Sequence, residues 1–368
     1  MKFGVFYVLE CPDHDYRRAY AEMLAQIEAA ESLGYDTVWL AEHHGTDYGS
    51  MPSPQVIGAA VAQRTKRMRI GIACSILPFA HPVRLAEDYA MLDVLSDGRL
   101  DFGVGRGYQP REFKAMGVEH LQPVSREVFR EQLEIILGLW TNDTFSYQGE
   151  YFQVEEVSCR PKPVQTPHPP VLVAAISPQT FELVAQGGYN ILVTPTLMTL
   201  PELQDHVVET KRTLIERGRE PLSLDFPMNW QIHVAPTEEQ ALAETEQAFA
   251  WYFNEVMKHV PKGANVPKTY ERYAELAKAV EEGGGLTIEG LQQGGIVLVT
   301  DPATAVREIE KLHDEMGLQH ISCWMRMGGL EHDKVISSLE LFAKEVIPHF
   351  KDRPPVVPRA LRSEAVTA

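Results

Sequence analysis

Apolar residues follow two rhythms along this chain: short, nearly continuous runs, and longer stretches in which they recur every three or four positions. KFGVFYV (2–8) is of the first kind. Tyr20, Met23, Leu24, Ile27, Ala30 and Leu33 are of the second, and Gly34 supplies a stop. Together they read as one strand and one helix. DTVWLAE (36–42) is the next strand, with Ser53 and Pro54 as N-cap and first helical position ahead of QVIGAAVAQ. MRIGIACSIL (68–77) leads through Pro82 into VRLAEDYAMLDVL, and RLDFGVG (99–105) leads into SREVFREQLEIILGLW. Residues 141–169 interrupt with turn residues and alternating aromatics, and read as a small hairpin excursion. PVLVAAI (170–176) resumes as a fifth strand, with Ser177 and Pro178 opening its helix. NILVTP (190–195) is the sixth strand, followed by a helix over about 201–217. The seventh lies within 224–235, its helix starting near Glu238. The eighth is HISCWMRM (320–327), followed by Val335, Leu339, Phe342 and Val346 at helical spacing.

Strands without polar alternation, each followed by a helix, imply a parallel sheet covered on its outer face. Eight such units predict an α/β chain folded as a (β/α)₈ TIM barrel over residues 1–350. Residues 256–295 are expected to form a mobile insertion between strands seven and eight, with use as a lid, and 351–368 a flexible tail. A doubly wound open sheet is the competing topology. In a closed barrel the chemistry sits where the strands end.

Composition narrows the partners. The 368 residues are 44% hydrophobic and 23% charged, a globular balance. Lys and Arg number 34 against 51 Asp and Glu, a formal charge of −17 that disfavours nucleic acid and anionic lipid. An anionic ligand would need its own arginines and backbone donors. Cys11, Cys74, Cys159 and Cys323 show no CxxC pairing, which argues against a zinc site or a disulfide framework. The N-terminal run MKFGVFYVLECPDHD is unlike a signal peptide, and no apolar run reaches the ~20 residues that span a bilayer. A cytoplasmic protein is expected.

Three strand ends carry candidate chemistry. AEHHGTDYG (41–49) sets His43 and His44 behind Glu42. Strand alternation sends only one of the two histidines into the barrel mouth, so a metal needing both is disfavoured. Catalysis and a polar rim bonded to loop backbone both remain open. GVGRG (103–107) fails as a dinucleotide fingerprint, since Tyr108 stands where the third glycine belongs and Pro110 follows. It leaves a glycine-flanked Arg106, either an anion contact or a turn arginine in an ion pair. Ser177, Pro178, Gln179 and Thr180 open a helix, as a phosphate site or as an ordinary cap.

The opening MKFGVF, YDTVWLAEHH, GIACSILPFAHPVRLAEDYAMLDVLSDGRLDFGVGRG and the ending ELFAKEVIPHF resemble the bacterial luciferase-like flavin-dependent monooxygenases. The similarity spans nearly the whole chain, is densest over residues 1–110, and extends to LWTNDTFSYQGEYFQV and RPKPVQTPHPPVLVAAISPQTFEL. It implies a barrel that binds reduced FMN, whose C4a position takes up dioxygen as a hydroperoxide and oxygenates an aldehyde or another apolar organic substrate. It also implies a separate flavin reductase and a homodimer joined through helices two and three. On this resemblance His43 matches the catalytic histidine. Ala73 and Cys74 match a non-prolyl cis peptide against the isoalloxazine ring, and Arg106, Arg126, Ser177 and Thr180 match the phosphate contacts. Glu42 or Asp47 is expected to orient the imidazole. Phe6, Trp230, Trp324 and Met325 are candidates for the substrate pocket. Gly105 stands where luciferase has a cysteine and Ile176 where it has a glutamate, so light emission is not expected. The alternatives are a relative using a deazaflavin for hydride transfer and a noncatalytic flavin-binding partner subunit.

Overall fold

The structure is a computed structural model that describes residues 1–258 and 287–362. Its strands are β1 (Lys2–Tyr7), β2 (Thr37–Leu40), β3 (Arg69–Ile72), β4 (Ser75–Ile76), β5 (Leu100–Gly105), β6 (Phe145–Gln148), β7 (Gln153–Val157), β8 (Val171–Ala174), β9 (Asn190–Leu192), β10 (Pro227–Val234), β11 (Val297–Thr300) and β12 (His320–Trp324). The helices are α1 (Tyr16–Leu33), α2 (Pro54–Arg64), α3 (Pro82–Leu95), α4 (Pro110–Ala115), α5 (Ser125–Thr141), α6 (Pro178–Gly187), α7 (Leu200–Glu216), α8 (Glu238–Met257), α9 (Ile288–Gln293), α10 (Pro302–Met316) and α11 (His332–Glu345).

Parallel pairing runs β10-β12-β1-β2-β3-β5-β8-β9. A further parallel bridge between Val193 and Met228 returns the β9 end to β10, with Asn229 N donating to Val193 O at 2.8 Å. The sheet thereby closes on itself as the expected (β/α)₈ barrel, and β6 and β7 form the expected antiparallel hairpin outside it. One strand was not anticipated. β10 pairs with β12 from Pro227 to Gln231 and then with β11 from Gln231 to Val234, so the chain returns to the sheet before the eighth barrel strand.

Most of the expected insertion, 259–286, lies outside the described residues. Its C-terminal flank is ordered: Thr287 caps α9, and Leu291 is buried. The tail expectation is corrected for residues 351–362. Arg359 and Arg362 both pair with Asp314 of α10, and Leu361 is fully buried, so this segment packs on the barrel.

Local signals explain the helix ends. Asp15 and Asp301 accept first-turn amides of α1 and α10, Pro occupies the start of α2, α3 and α6, and Gly34 ends α1 with φ 93°. Alternation along each strand then sorts side chains into two cores. Phe3, Val5, Tyr7 and Leu9 join the large outer core between sheet and helices. Phe6 and Val8 join Trp39, Ala41, Trp324 and Tyr252 in a smaller inner one. Gly71 makes the inner packing possible, because a Cβ there would lie 2.1 Å from the Trp39 ring.

Candidate active site

A cavity of about 450 Å³ opens at the carboxyl ends of the strands. Of the expected pocket residues, Phe6 and Trp324 line it; Trp230 and Met325 do not. The reason is parity. On β10 and β12 the inward residues are Asn229 and then Ser322 and Trp324, so Trp230 and Met325 point outward into the outer core. Trp230 Nε1 donates to Gly295 O at 3.0 Å there.

β2 ends at Leu40, two residues short of the expected strand end at Glu42, so Glu42 joins His43 and His44 on the loop beyond it. His43 lines the cavity and His44 does not; the His44 ring packs edge-on against Phe79 at 5.5 Å. Gly49 lets the loop fold back over the imidazole, since a Cβ at that position would sit 2.6 Å from His43 Cβ. Neither Glu42 nor Asp47 orients His43, which corrects that expectation. Glu42 accepts from Ile76 N and pairs with His44 Nε2, both at 3.0 Å, while Asp47 faces His14 at 3.7 Å.

The partner is Glu112 of α4, whose side chain is fully buried. Its Oε1 lies 3.1 Å from His43 Nδ1 and accepts from His44 N at 2.9 Å. Burial pushes the Glu112 carboxyl up, but the His43 charge and hydrogen bond, with the His44 amide, outweigh it and hold the group below its usual range. A carboxylate only accepts, so Nδ1 is the ring nitrogen that donates to Glu112, and Nε2 is the one outside that pair. Tyr48 packs edge-on against His43 at 5.0 Å, and Gln109 donates to the Tyr48 and Tyr108 hydroxyls. Burial is the first cause that raises both phenols, Tyr108 to about 12. Sequence reasoning missed Glu112, Tyr48, Tyr108 and Gln109. Nothing in PREFKA points to residue 43; only the turn of the β5–α4 loop over the β2 loop joins them.

Across the mouth, Gly105, Arg106, Ala174 and Thr180 border both this cavity and an adjoining one of about 310 Å³. Arg126, Arg130, Gln179 and Gln186 also line the second. Arg106 Nη1 donates to Ser125 Oγ at 3.3 Å. Ser177 stands at the N-cap of α6 but makes no side-chain cap; its Oγ meets Thr180 Oγ1 at 3.0 Å. The structure thus brings Arg106, Arg126, Ser177 and Thr180 together around one helix N-terminus, where amides and guanidinium groups favour an anion.

Between the two sides, the Ala73–Cys74 peptide is cis, and both residues line the first cavity. Burial, then the charges of Glu42 and Glu112, push the Cys74 thiol up to about 12. A Cβ on Gly105 would lie 2.4 Å from Cys74 Sγ, so a side chain there requires the thiol to rotate away.

Comparison with known proteins finds relatives over nearly the whole chain. The family model described as luciferase-like monooxygenase matches residues 1–320. The oxygenase component of the flavin-dependent trigonelline monooxygenase of Acinetobacter baylyi is 28% identical over 363 residues, covering 96% of each chain. Among solved structures, monooxygenase RslO1 from Streptomyces bottropensis superposes with a TM-score of 0.78 at 27% identity, covering 95% of this chain and 100% of its own. An F420-dependent secondary alcohol dehydrogenase shares the fold at a TM-score of 0.73 and 21% identity, covering 95% and 99%.

Proposed function

The chain belongs to the luciferase-like monooxygenase family, and from that premise we propose that it uses reduced FMN and dioxygen to oxygenate an apolar organic substrate, with the flavin supplied by a separate reductase. The observation that carries this reading is the pair of joined cavities. The first holds His43, the second is lined with arginines, and Arg106 stands at their junction.

The residues present fit such a group. Arg106, Arg126 and Thr180 of the second cavity, with the first amides of α6 and Ser177 on the first cavity's side, would hold a phosphate in a chain that is otherwise strongly acidic. Bound reduced flavin supplies the electrons that activate dioxygen. His43, held by Glu112, takes or returns a proton at Nε2, and the aromatic wall of Phe6, Trp324 and Tyr252 excludes water from that exchange. A homodimer through α2 and α3 is supported by their exposed apolar residues, Val56, Met91, Val94 and Leu95.

The test uses the isolated chain with chemically reduced FMN, oxygen and a panel of aldehydes and cyclic ketones. Substrate-dependent oxygen uptake is expected, with turnover lower by roughly a hundredfold in His43→Ala. Parent-like turnover in the variant rejects the role of His43. Hydride transfer with reduced F420 and no oxygen uptake with reduced FMN selects the deazaflavin alternative. No turnover by the chain alone with either cofactor, restored by a partner subunit, selects the noncatalytic one.

A further inference from the structure

Below the aromatic layer of the cavity the wall turns polar. Phe6 and Trp324 meet with ring centroids 5.0 Å apart, and one inward step deeper Asn229 of β10 stands in register with Ser322 of β12, both lining the cavity. Asn229 Oδ1 and Ser322 Oγ are both shut off from solvent, and neither has a hydrogen-bond partner among the described residues. Gln231, the next inward residue of β10, accepts from Thr196 Oγ1 at 3.2 Å while its Nε2 is likewise unpartnered.

Partnerless buried polar groups are unfavourable, so two in register on the cavity wall, at Asn229 and Ser322, need a reason. Incomplete packing is not it. At the neighbouring inward positions Thr37 Oγ1 meets His320 Nε2 at 3.0 Å and accepts from Trp39 Nε1 at 2.9 Å, so the polar groups there are satisfied. Unpartnered buried atoms also occur away from the cavity, as at Ser75 Oγ and Thr300 Oγ1, but Asn229 and Ser322 are the pair that stands in register on the cavity wall among the described residues.

We propose that Asn229 and Ser322 form a recognition subsite for a ligand edge that carries a hydrogen-bond donor beside an acceptor: an amide, imide or hydroxy-carbonyl edge. A carboxamide offers both roles whichever way it is turned, and a hydroxyl offers both by rotating. The inference rests on reading the cavity as a flavin and substrate site. Two ligands of that reaction bring the required chemistry, the imide of the flavin pyrimidine ring and the polar end of an otherwise apolar substrate.

Asn229→Leu and Ser322→Ala test it. Without ligand, both variants are expected to melt at or above the parent temperature, because no hydrogen bond of the free protein is lost. Lumiflavin and N3-methyllumiflavin are then titrated by fluorescence quenching, and benzamide and ethylbenzene by calorimetry. About tenfold weaker lumiflavin binding with the N3-methyl analogue unchanged assigns the edge to the flavin. Unchanged flavin binding with about a tenfold loss of preference for benzamide over ethylbenzene assigns it to the substrate. Variants that bind all four probes as the parent does overturn the subsite, as does a lowered melting temperature with unchanged binding. A parent that binds no flavin yet discriminates between benzamide and ethylbenzene, with discrimination lost in the variants, sinks the cofactor reading and leaves the subsite standing.

Discussion

The outer and inner faces of the barrel strands are built from alternate residues of the same short segments, yet they serve opposite ends. Outward residues such as Phe3, Val38, Ile70 and Phe102 are buried against helices in one continuous apolar core. Inward residues are fewer and mixed: Phe6, Trp39 and Trp324 stand among Asn229 and Ser322, and the space between them stays open. Burial of apolar area stabilises the fold roughly in proportion to the area removed from water, whatever the residue order. Recognition needs polar atoms held without partners in a low-dielectric space, which a filled core cannot provide. Separating the two by strand parity lets a single barrel hold both.

That separation can be broken from either side. The largest effect belongs to the outer face. Phe102→Ala removes a ring that contacts Tyr89 at 4.7 Å and Trp140 at 5.0 Å, and should cost about 3–5 kcal/mol of stability in urea unfolding while FMN affinity per folded molecule stays unchanged. An equal loss of affinity would show that the two faces are coupled. Next is Arg106→Ala at the rim, expected to weaken FMN by about 2–3 kcal/mol in a fluorescence titration and to leave the unfolding midpoint within experimental scatter.

Glu10 tests the boundary between the faces. It is buried beyond the end of β1, accepts from Trp324 Nε1 at 3.0 Å, and its carbonyl accepts from Arg326 Nη1 at 2.7 Å. Burial raises its carboxyl to about 7, against the lowering influence of Arg326 and the hydrogen bonds. The folded chain therefore keeps a proton that the unfolded chain releases near its ordinary value of 4.5, and stability falls as pH rises through that window. Glu10→Gln should remove on the order of 2 kcal/mol of this decline, read from urea midpoints at about pH 5 and pH 7.5. A parent whose stability is flat over that range would refute the assignment. The smallest effect is Glu112→Gln, which keeps the shape beside His43 but removes the charge. Turnover should drop by roughly tenfold, about 1.4 kcal/mol of barrier, with FMN affinity as in the parent.

Sequence pattern anticipated all eight barrel strands because each is a separate apolar run, and it placed Arg106, Ser177 and His43 at strand ends because those runs stop there. It passed over β11, whose four residues follow directly on the expected insertion. Trp230 and Met325 were misplaced although alternation, applied from Trp324, excludes Met325 from the inward face. Glu112 was beyond reach, since it lies 69 residues from His43 in a six-residue helix with no distinguishing pattern.

By itself the sequence determined the strand-and-helix rhythm, the strand ends and the types of chemistry gathered there, because periodicity and chain stops are local properties of neighbouring residues. Only the tertiary structure decided that Glu112 grips His43, that Arg126 joins Arg106, and that Asn229 and Ser322 stand together without partners. Those pairings depend on how a sheet closes and how its loops cross, and closure brings together residues whose separation along the chain carries no local signal.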